Sequence, residues 1–293
     1  MAETFLDSDL LAKLEQLQIA TRRISTGNMR GERRSKRRGF SSDFADYRNY
    51  VSGDDTRYLD WKIYARLEKL YLKLFLEEED LQIHVILDCS SSMNFGSPNK
   101  LNYAKRLAAA ISYISLCKMD SVNVYGFAGG LDQIWGAKRG KFNAKSLFEF
   151  LDNLKVSNET ALESSLNLFT QQTKGKGVVI LLSDFYDFNG YEPALKNLFG
   201  RNFDVYVMHL LSPEELHPEL KGDIRLVDSE LGFATDISVG KKLLTSYEKT
   251  LDAFCGGLKD YVNKRGGNYS LVSTDLPFEK MVLDVLCRKG LIR

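Results

Sequence analysis

Three short stretches of this chain concentrate carboxylates and hydroxyls. Asp88-Cys89-Ser90-Ser91-Ser92 is a DxSxS pattern that sets one carboxylate and two hydroxyls at alternate positions. Ser183-Asp184 adds a second carboxylate, and Asn158-Glu159-Thr160 offers a third hydroxyl from Thr160. The two carboxylates and three hydroxyls form a hard-oxygen donor set suited to Mg²⁺ or Mn²⁺, ions that take octahedral oxygen shells and retain water. So few charged ligands would leave the ion electrophilic. The competing role for each piece is local: Ser-rich loops after strands cap helices, Thr160 by itself reads as an N-cap, and Asp184 as an acid at a helix start. It is the joint placement of all five residues that points to a metal.

These stretches are placed by what precedes them. Residues 83–87 (IHVIL) and 177–182 (GVVILL) are short apolar runs of the kind that become fully buried strands, and ligands of open parallel sheets sit beyond the carboxyl ends of such strands. A helix is expected over 101–117, with Leu107, Ile111 and Ile114 on one face, followed by a strand over 122–127 and a short edge strand over 131–135. Helices over 143–154, 161–171 and 191–199, a strand over 204–211, a hairpin over 224–239 turning near 230–232, a helix over 241–264, a strand over 269–272 and a helix over 278–288 complete the pattern. Alternating strands and helices predict an α/β domain with a mainly parallel sheet flanked by helices. Ahead of it, Leu10, Leu11, Leu14 and Leu17 at helical spacing behind Asp7 and Ser8 predict a helix over 5–19 that packs on the body. Residues 39–79 are dense in aromatics, Arg and Asp, with Gly53-Asp54-Asp55 as a turn and a strand over 70–75, so they read as ordered chain. The expected division is 1–79, an N-terminal signature subdomain, and 80–293.

The whole is an ordinary globular composition, 293 residues with 44% hydrophobic and 27% charged, able to bury a core. Forty Lys and Arg against 39 Asp and Glu give a net charge of +1, so total charge supplies no argument for a nucleic-acid or membrane partner. No apolar run approaches the ~18–20 residues that span a bilayer, and Met1-Ala2-Glu3-Thr4 is not a leader, so the expectation is a cytoplasmic protein without membrane insertion. Residues 22–38 hide a local excess: Arg22, Arg23, Arg30, Arg33, Arg34, Lys36, Arg37 and Arg38 against Glu32. That run reads as a solvated face, with an acidic partner or RNA as the alternatives. Cys89, Cys117, Cys255 and Cys287 are scattered without a CxxC or a nearby His pair, which indicates neither a zinc site nor a disulfide framework. No P-loop, GxSxG, HExxH or GxGxxG stands in the chain, and His84, His209 and His217 fall in a strand, a strand and a loop. Ser90 stands where a haloacid-dehalogenase-like phosphatase would need its second Asp. A non-enzymatic binding module is therefore expected, with a Mg²⁺-dependent phosphoesterase, using Asp187 or Glu159 as acids, as the alternative.

The DxSxS loop, the later Thr160 before a helix and the strand-end Asp184 resemble, in order and spacing, the metal-ion-dependent adhesion site of von Willebrand factor A domains. That resemblance implies a von Willebrand factor A-like, Rossmann-like fold in which Ser90, Ser92 and Thr160 touch the metal through hydroxyls while Asp88 and Asp184 act directly or through water. It also implies that a protein partner supplies an acidic residue to the open position. Gly31-x3-Ser35-x3-Gly39, Asp43-Phe44, Tyr47-Arg48-x-Tyr50, Gly53-Asp54-Asp55-x-Arg57, Asp60-Trp61-Lys62 and Ala65-Arg66, followed by Leu72-Lys73 and Glu77-Glu78, resemble the signature of the domain-of-unknown-function 58 family. Leu211-Ser212-Pro213-Glu214-Glu215-Leu216, Arg225-Leu226-Val227-Asp228 and Val272-Ser273-Thr274-Asp275 fit the same family. Membership implies pairing with a MoxR-type AAA+ ATPase in a chaperone-like or metal-insertion role on client proteins. Within the signature, Arg48, Asp54, Asp55, Arg57, Asp60, Trp61, Lys62 and Arg66 have two readings. One is a structural subdomain in which Arg48, Arg57 and Arg66 pair with Asp54, Asp55 and Asp60 while Trp61 fills a core; the other is a partner-binding surface whose arginines grip a carboxylate or phosphate.

Overall fold

The computed structural model describes residues 6–20, 44–75, 81–131, 133–157, 161–173, 175–220, 222–227 and 234–292. Two compact units are present, one of residues 1–20 with 81–293 and one of residues 21–80. The smaller unit ends at Asp80, and the N-terminal helix belongs with the larger unit. That helix, α1 (Ser8–Leu14), buries Leu10 and Leu14. It ends before the expected residue 19 because Gln16 and Leu17 turn their amides back to Lys13 and Leu14 in tighter turns. Glu15 then accepts the Tyr113 hydroxyl at 2.7 Å, which fastens the segment to the body.

The smaller unit is built on a two-stranded antiparallel ribbon of β1 (Phe44–Asn49) and β2 (Tyr71–Phe75), with α2 (Trp61–Leu67) between them. A seven-residue helix has little intrinsic stability and depends on its ends. Asp60 accepts the amides of Lys62 at 2.9 Å and Ile63 at 3.1 Å to start α2, and Glu68 stops it in the left-handed conformation at φ +53°.

The larger unit runs β3 (Gln82–Asp88), α3 (Lys100–Cys117), β4 (Ser121–Phe127), β5 (Gln133–Lys138), α4 (Ala144–Asp152), α5 (Leu162–Gln172), β6 (Gly177–Ser183), α6 (Tyr191–Phe199), β7 (Phe203–Leu211) and α7 (Pro213–Leu216). It continues with the antiparallel pair β8 (Gly222–Val227) and β9 (Ala234–Val239), then α8 (Lys241–Lys264) and β10 (Asn268–Ser273). A final helical stretch follows, with α-helical ends at Phe278–Lys280 and Leu286–Arg288 around a π-helical turn at Met281–Val285. The turn expected near 230–232 lies outside the described residues.

Six strands form one sheet in the order β10-β7-β6-β3-β4-β5, parallel throughout except for the antiparallel edge strand β5. The central strands are buried on both faces, so their side chains are apolar in succession instead of alternating with polar ones. Ile86, Val179, Leu181, Val205 and Val207 pack with Leu162, Leu166 and Phe169 of α5, Leu195 and Leu198 of α6, and Leu258 and Val262 of α8. α3 packs against β3, β4 and β7, with Leu107, Ile111 and Ile114 fully buried. Close approach is explicit at Gly177, where a Cβ would lie 2.5 Å from the Gln82 carbonyl oxygen of the neighbouring strand. Among the described residues no helix is long and apolar enough to cross a membrane.

Candidate metal centre

The sheet order fixes where a ligand can enter. From β3 the chain moves outward to β4 and β5 and then returns to β6 on the other side of β3, so the order reverses between β3 and β6. Crevices open at such reversals, beyond the carboxyl ends of the strands. Leu87 is paired with Leu182, which sets Asp88 and the Ser183-Asp184 dipeptide side by side at that end.

Asp88 is fully buried, and both of its oxygens are used. Oδ1 accepts the Ser90 amide at 2.9 Å, folding the loop back on itself, and Oδ2 accepts the Ser183 hydroxyl at 2.6 Å. Burial, with the nearby Asp184 carboxylate adding to it, pushes the Asp88 carboxyl well above the usual carboxylate range. Removing a carboxylate from water disfavours its charged form, so the position favours a cation beside it. The Ser90 and Ser92 hydroxyl oxygens lie 2.9 Å apart. Adjacent ligands of an octahedral ion with bonds near 2.1 Å stand about 3 Å apart, so this pair matches the spacing of two neighbouring ligands. The oxygen-only donor set therefore fits Mg²⁺ or Mn²⁺. Among the described residues no three His, Cys, Asp or Glu side chains converge as a metal cluster, so the hydroxyls are essential to any such site.

Thr160 lies outside the described residues. Before it, Ser157 donates its amide to the Cys89 carbonyl at 3.1 Å, and Ser91 donates its hydroxyl to the Ser157 carbonyl at 3.3 Å. Beyond it, Leu162 donates its amide to Asp187 at 3.0 Å, so Asp187, one of the candidate acids, serves the start of α5.

Asp184 brings in Lys100 and Tyr186, which the sequence did not single out. Its Oδ1 accepts the Tyr186 amide at 3.2 Å, and its Oδ2 receives the Lys100 ammonium at 2.8 Å. Lys100 also reaches Glu215 Oε1 at 2.6 Å, and its side chain is fully buried. Glu215 in turn closes a capping box on α7, accepting the Ser212 amide at 2.7 Å. Phe185, between Asp184 and Tyr186, holds the left-handed φ of +61° that a bulky residue rarely adopts. Ser183 Oγ accepts its amide at 2.8 Å, and its buried ring stands edge-on to His209 at 5.7 Å, which together hold that conformation. Gly96, at φ +88°, lets the loop after β3 pass Ser212, where a Cβ would come within 2.4 Å of the serine Cβ.

The two strand histidines are buried in the core. Burial holds both His84 and His209 down at about 4, hence neutral, with His209 Nδ1 2.8 Å from the Tyr269 hydroxyl.

In the smaller unit the signature residues divide between the two readings. Arg48 pairs with Asp54 at 2.5 Å, and Arg57 grips Asp55 through Nε at 3.0 Å and Nη2 at 2.6 Å. Asp60 is committed elsewhere than to Arg66: besides capping α2 it accepts the Tyr47 hydroxyl at 2.9 Å and faces Lys73 at 3.2 Å. Burial works against its charge, but these donors outweigh it and hold the carboxyl at about 2. Trp61 does not fill a core. It is 61% exposed and stands edge-on to Tyr64 at 6.2 Å, while Leu59 and Leu72, joined by an antiparallel β-bridge, are buried. Lys62 and Arg66 are exposed. The basic run 22–38 lies outside the described residues.

The profile of the family described as "Protein of unknown function DUF58" matches residues 46–253, most of the chain. The chain belongs to the DUF58 family. This DUF58 protein is 21% identical over 252 residues to the uncharacterized proteins Rv1480 of Mycobacterium tuberculosis and Mb1516 of Mycobacterium bovis, covering 84% of this chain and 79% of each relative. Among solved structures it is similar to the conserved hypothetical protein BatB from Bacteroides thetaiotaomicron, at 18% identity and a TM-score of 0.42, over 72% of this chain and 98% of that one.

Proposed function

We propose that this DUF58 protein is a metal-ion-dependent protein-binding module of the von Willebrand factor A kind, in which Ser90, Ser92 and Thr160 hold a Mg²⁺ or Mn²⁺ ion together with Asp88 and Asp184. The observation that carries the reading is the hydrogen-bonded Ser90–Ser92 hydroxyl pair, 2.9 Å apart, on the loop after β3, with the buried Asp88 and Asp184 carboxylates at the neighbouring strand ends where the strand order reverses. When bound, the ion supplies a Lewis-acidic position for a carboxylate of a protein partner. Asp88 keeps the serine loop in shape through the Ser90 amide, and Ser183 keeps Asp88 in place. Binding is favoured over catalysis because His84 and His209 are neutral and buried in the sheet, which removes two of the chain's three imidazoles from general acid-base work. By family resemblance the partner is a MoxR-type AAA+ ATPase, and the two act together on client proteins in the cytoplasm.

Calorimetric titration with Mn²⁺ tests this reading. The Ser90→Ala/Ser92→Ala double variant should lose at least tenfold in affinity while unfolding as cooperatively as the parent. Unchanged affinity would remove the centre.

A further inference from the structure

We propose that Lys100 is a tethered counter-ion that competes with a divalent cation for Asp184 and thereby sets how tightly the centre takes metal. The inference rests on the metal-centre reading above and adds a residue that the DxSxS pattern does not contain.

Lys100 is the first residue of α3, where the positive end of the helix dipole disfavours a cation. Its side chain is nonetheless fully buried, which lysine accepts only when paired. Tertiary contacts hold it there. Asp184 lies at 2.8 Å, Glu215 at 2.6 Å, and the rings of Tyr186 and Phe95 at 5.3 and 5.9 Å from the ammonium. These partners come from the loops after β3 and β6 and from α7 directly after β7, the same strand-end face that carries Asp88, Ser90 and Ser92.

A carboxylate taken out of water needs a positive charge beside it. For Asp184 that charge is now the ammonium, so a divalent ion drawing on Asp184 must share it with a cation the chain itself supplies. Glu215 makes the exchange feasible, because it remains a partly buried anchor for the ammonium when Asp184 turns to the ion. Replacing Lys100 by a neutral side chain removes the competitor and leaves two carboxylates calling for a cation.

The experiment is Mn²⁺ calorimetry and thermal unfolding, in EDTA and in Mn²⁺, on the full chain, Lys100→Met and Lys100→Gln. Both variants should bind Mn²⁺ at least tenfold more tightly than the parent, melt lower in EDTA and recover in Mn²⁺ with a larger rise in Tm. Equal or weaker affinity in the variants overturns the inference, and if the parent still binds, the metal centre itself survives. A silent parent with binding variants upholds the competition and removes the native metal function, whereas no binding in any of the three overturns both. Should neither variant fold in either condition, Glu215→Gln, which keeps the capping box and leaves the ammonium wholly on Asp184, should bind at least threefold more weakly than the parent. An unchanged Glu215→Gln affinity would then overturn the inference.

Discussion

Asp184 joins the sheet to the proposed ion and to Lys100, so its replacement reports on the chemistry most directly at the residue scale. Asp184→Asn keeps the volume and removes one of two carboxylates, and Mn²⁺ affinity by calorimetry should fall at least tenfold; an unchanged constant would contradict its role. A second residue prediction concerns acid. His84 has its Nε2 buried without a hydrogen-bond partner and packs edge-on to Phe169 at 5.3 Å. Its folded-state value of about 4 lies below the ordinary 6.5, so the stability associated with keeping it neutral is present above pH 6.5 and is lost as pH falls through 4. At 1.36 kcal/mol per unit that is at most about 3 kcal/mol. His84→Phe should therefore lose less stability than the parent between pH 6.5 and 4 in urea titrations. A parallel loss in both proteins would contradict the assignment. Lys100 shows what sequence cannot display at this scale: a lysine reads as a solvated charge, and its burial arises only because the chain near 184 and 215 converges on it. The displaced signal was its position in a helix's first turn, where local preference is broken.

Elements were legible in proportion to how completely their burial is written in the sequence. IHVIL and GVVILL became β3 and β6 because strands covered on both faces must be apolar throughout. Helix α6 over 191–199 and helix α8 over 241–264 carried uninterrupted helical patterns and lie where they were expected. The edge strand β5 sits two residues later than expected, since an edge strand is only half buried and its pattern is weaker. In the smaller unit β1 and α2 were not foreseen, because their aromatics alternate with charges and α2 owes its limits to the Asp60 cap and the left-handed Glu68. The Arg-Asp pairing there was half legible. Arg48 took Asp54 and Arg57 took Asp55, while Asp60 went to Tyr47, Lys73 and the α2 amides. The β3–β6 seam itself offers an element-scale test. Gly177→Ala would place a methyl 2.5 Å from the Gln82 carbonyl, a backbone atom that cannot turn away. The two strands must part, at a cost of about 1–3 kcal/mol in urea denaturation. Gly136→Ala, which meets nothing within 4 Å, should stay within about 0.5 kcal/mol of the parent. Equal midpoints for the two variants would contradict the close approach at the seam.

Over the whole molecule, chemistry is divided between two units. The larger carries the oxygen-lined strand ends; the smaller carries the Arg, Asp and Trp signature, with Arg57 and Trp61 largely exposed. In the proposed function, partner recognition falls to the strand-end face under control of the ion. The measurement that bears on this most directly is capture from native lysate by the tagged full chain in Mg²⁺, in EDTA, and with Ser90→Ala/Ser92→Ala, the bound proteins being identified by mass spectrometry. A MoxR-type AAA+ ATPase recovered in Mg²⁺ with intact serines, and lost in both other arms, is the predicted result. The same ATPase recovered equally in all three would contradict metal-gated binding and move recognition to the signature of the smaller unit.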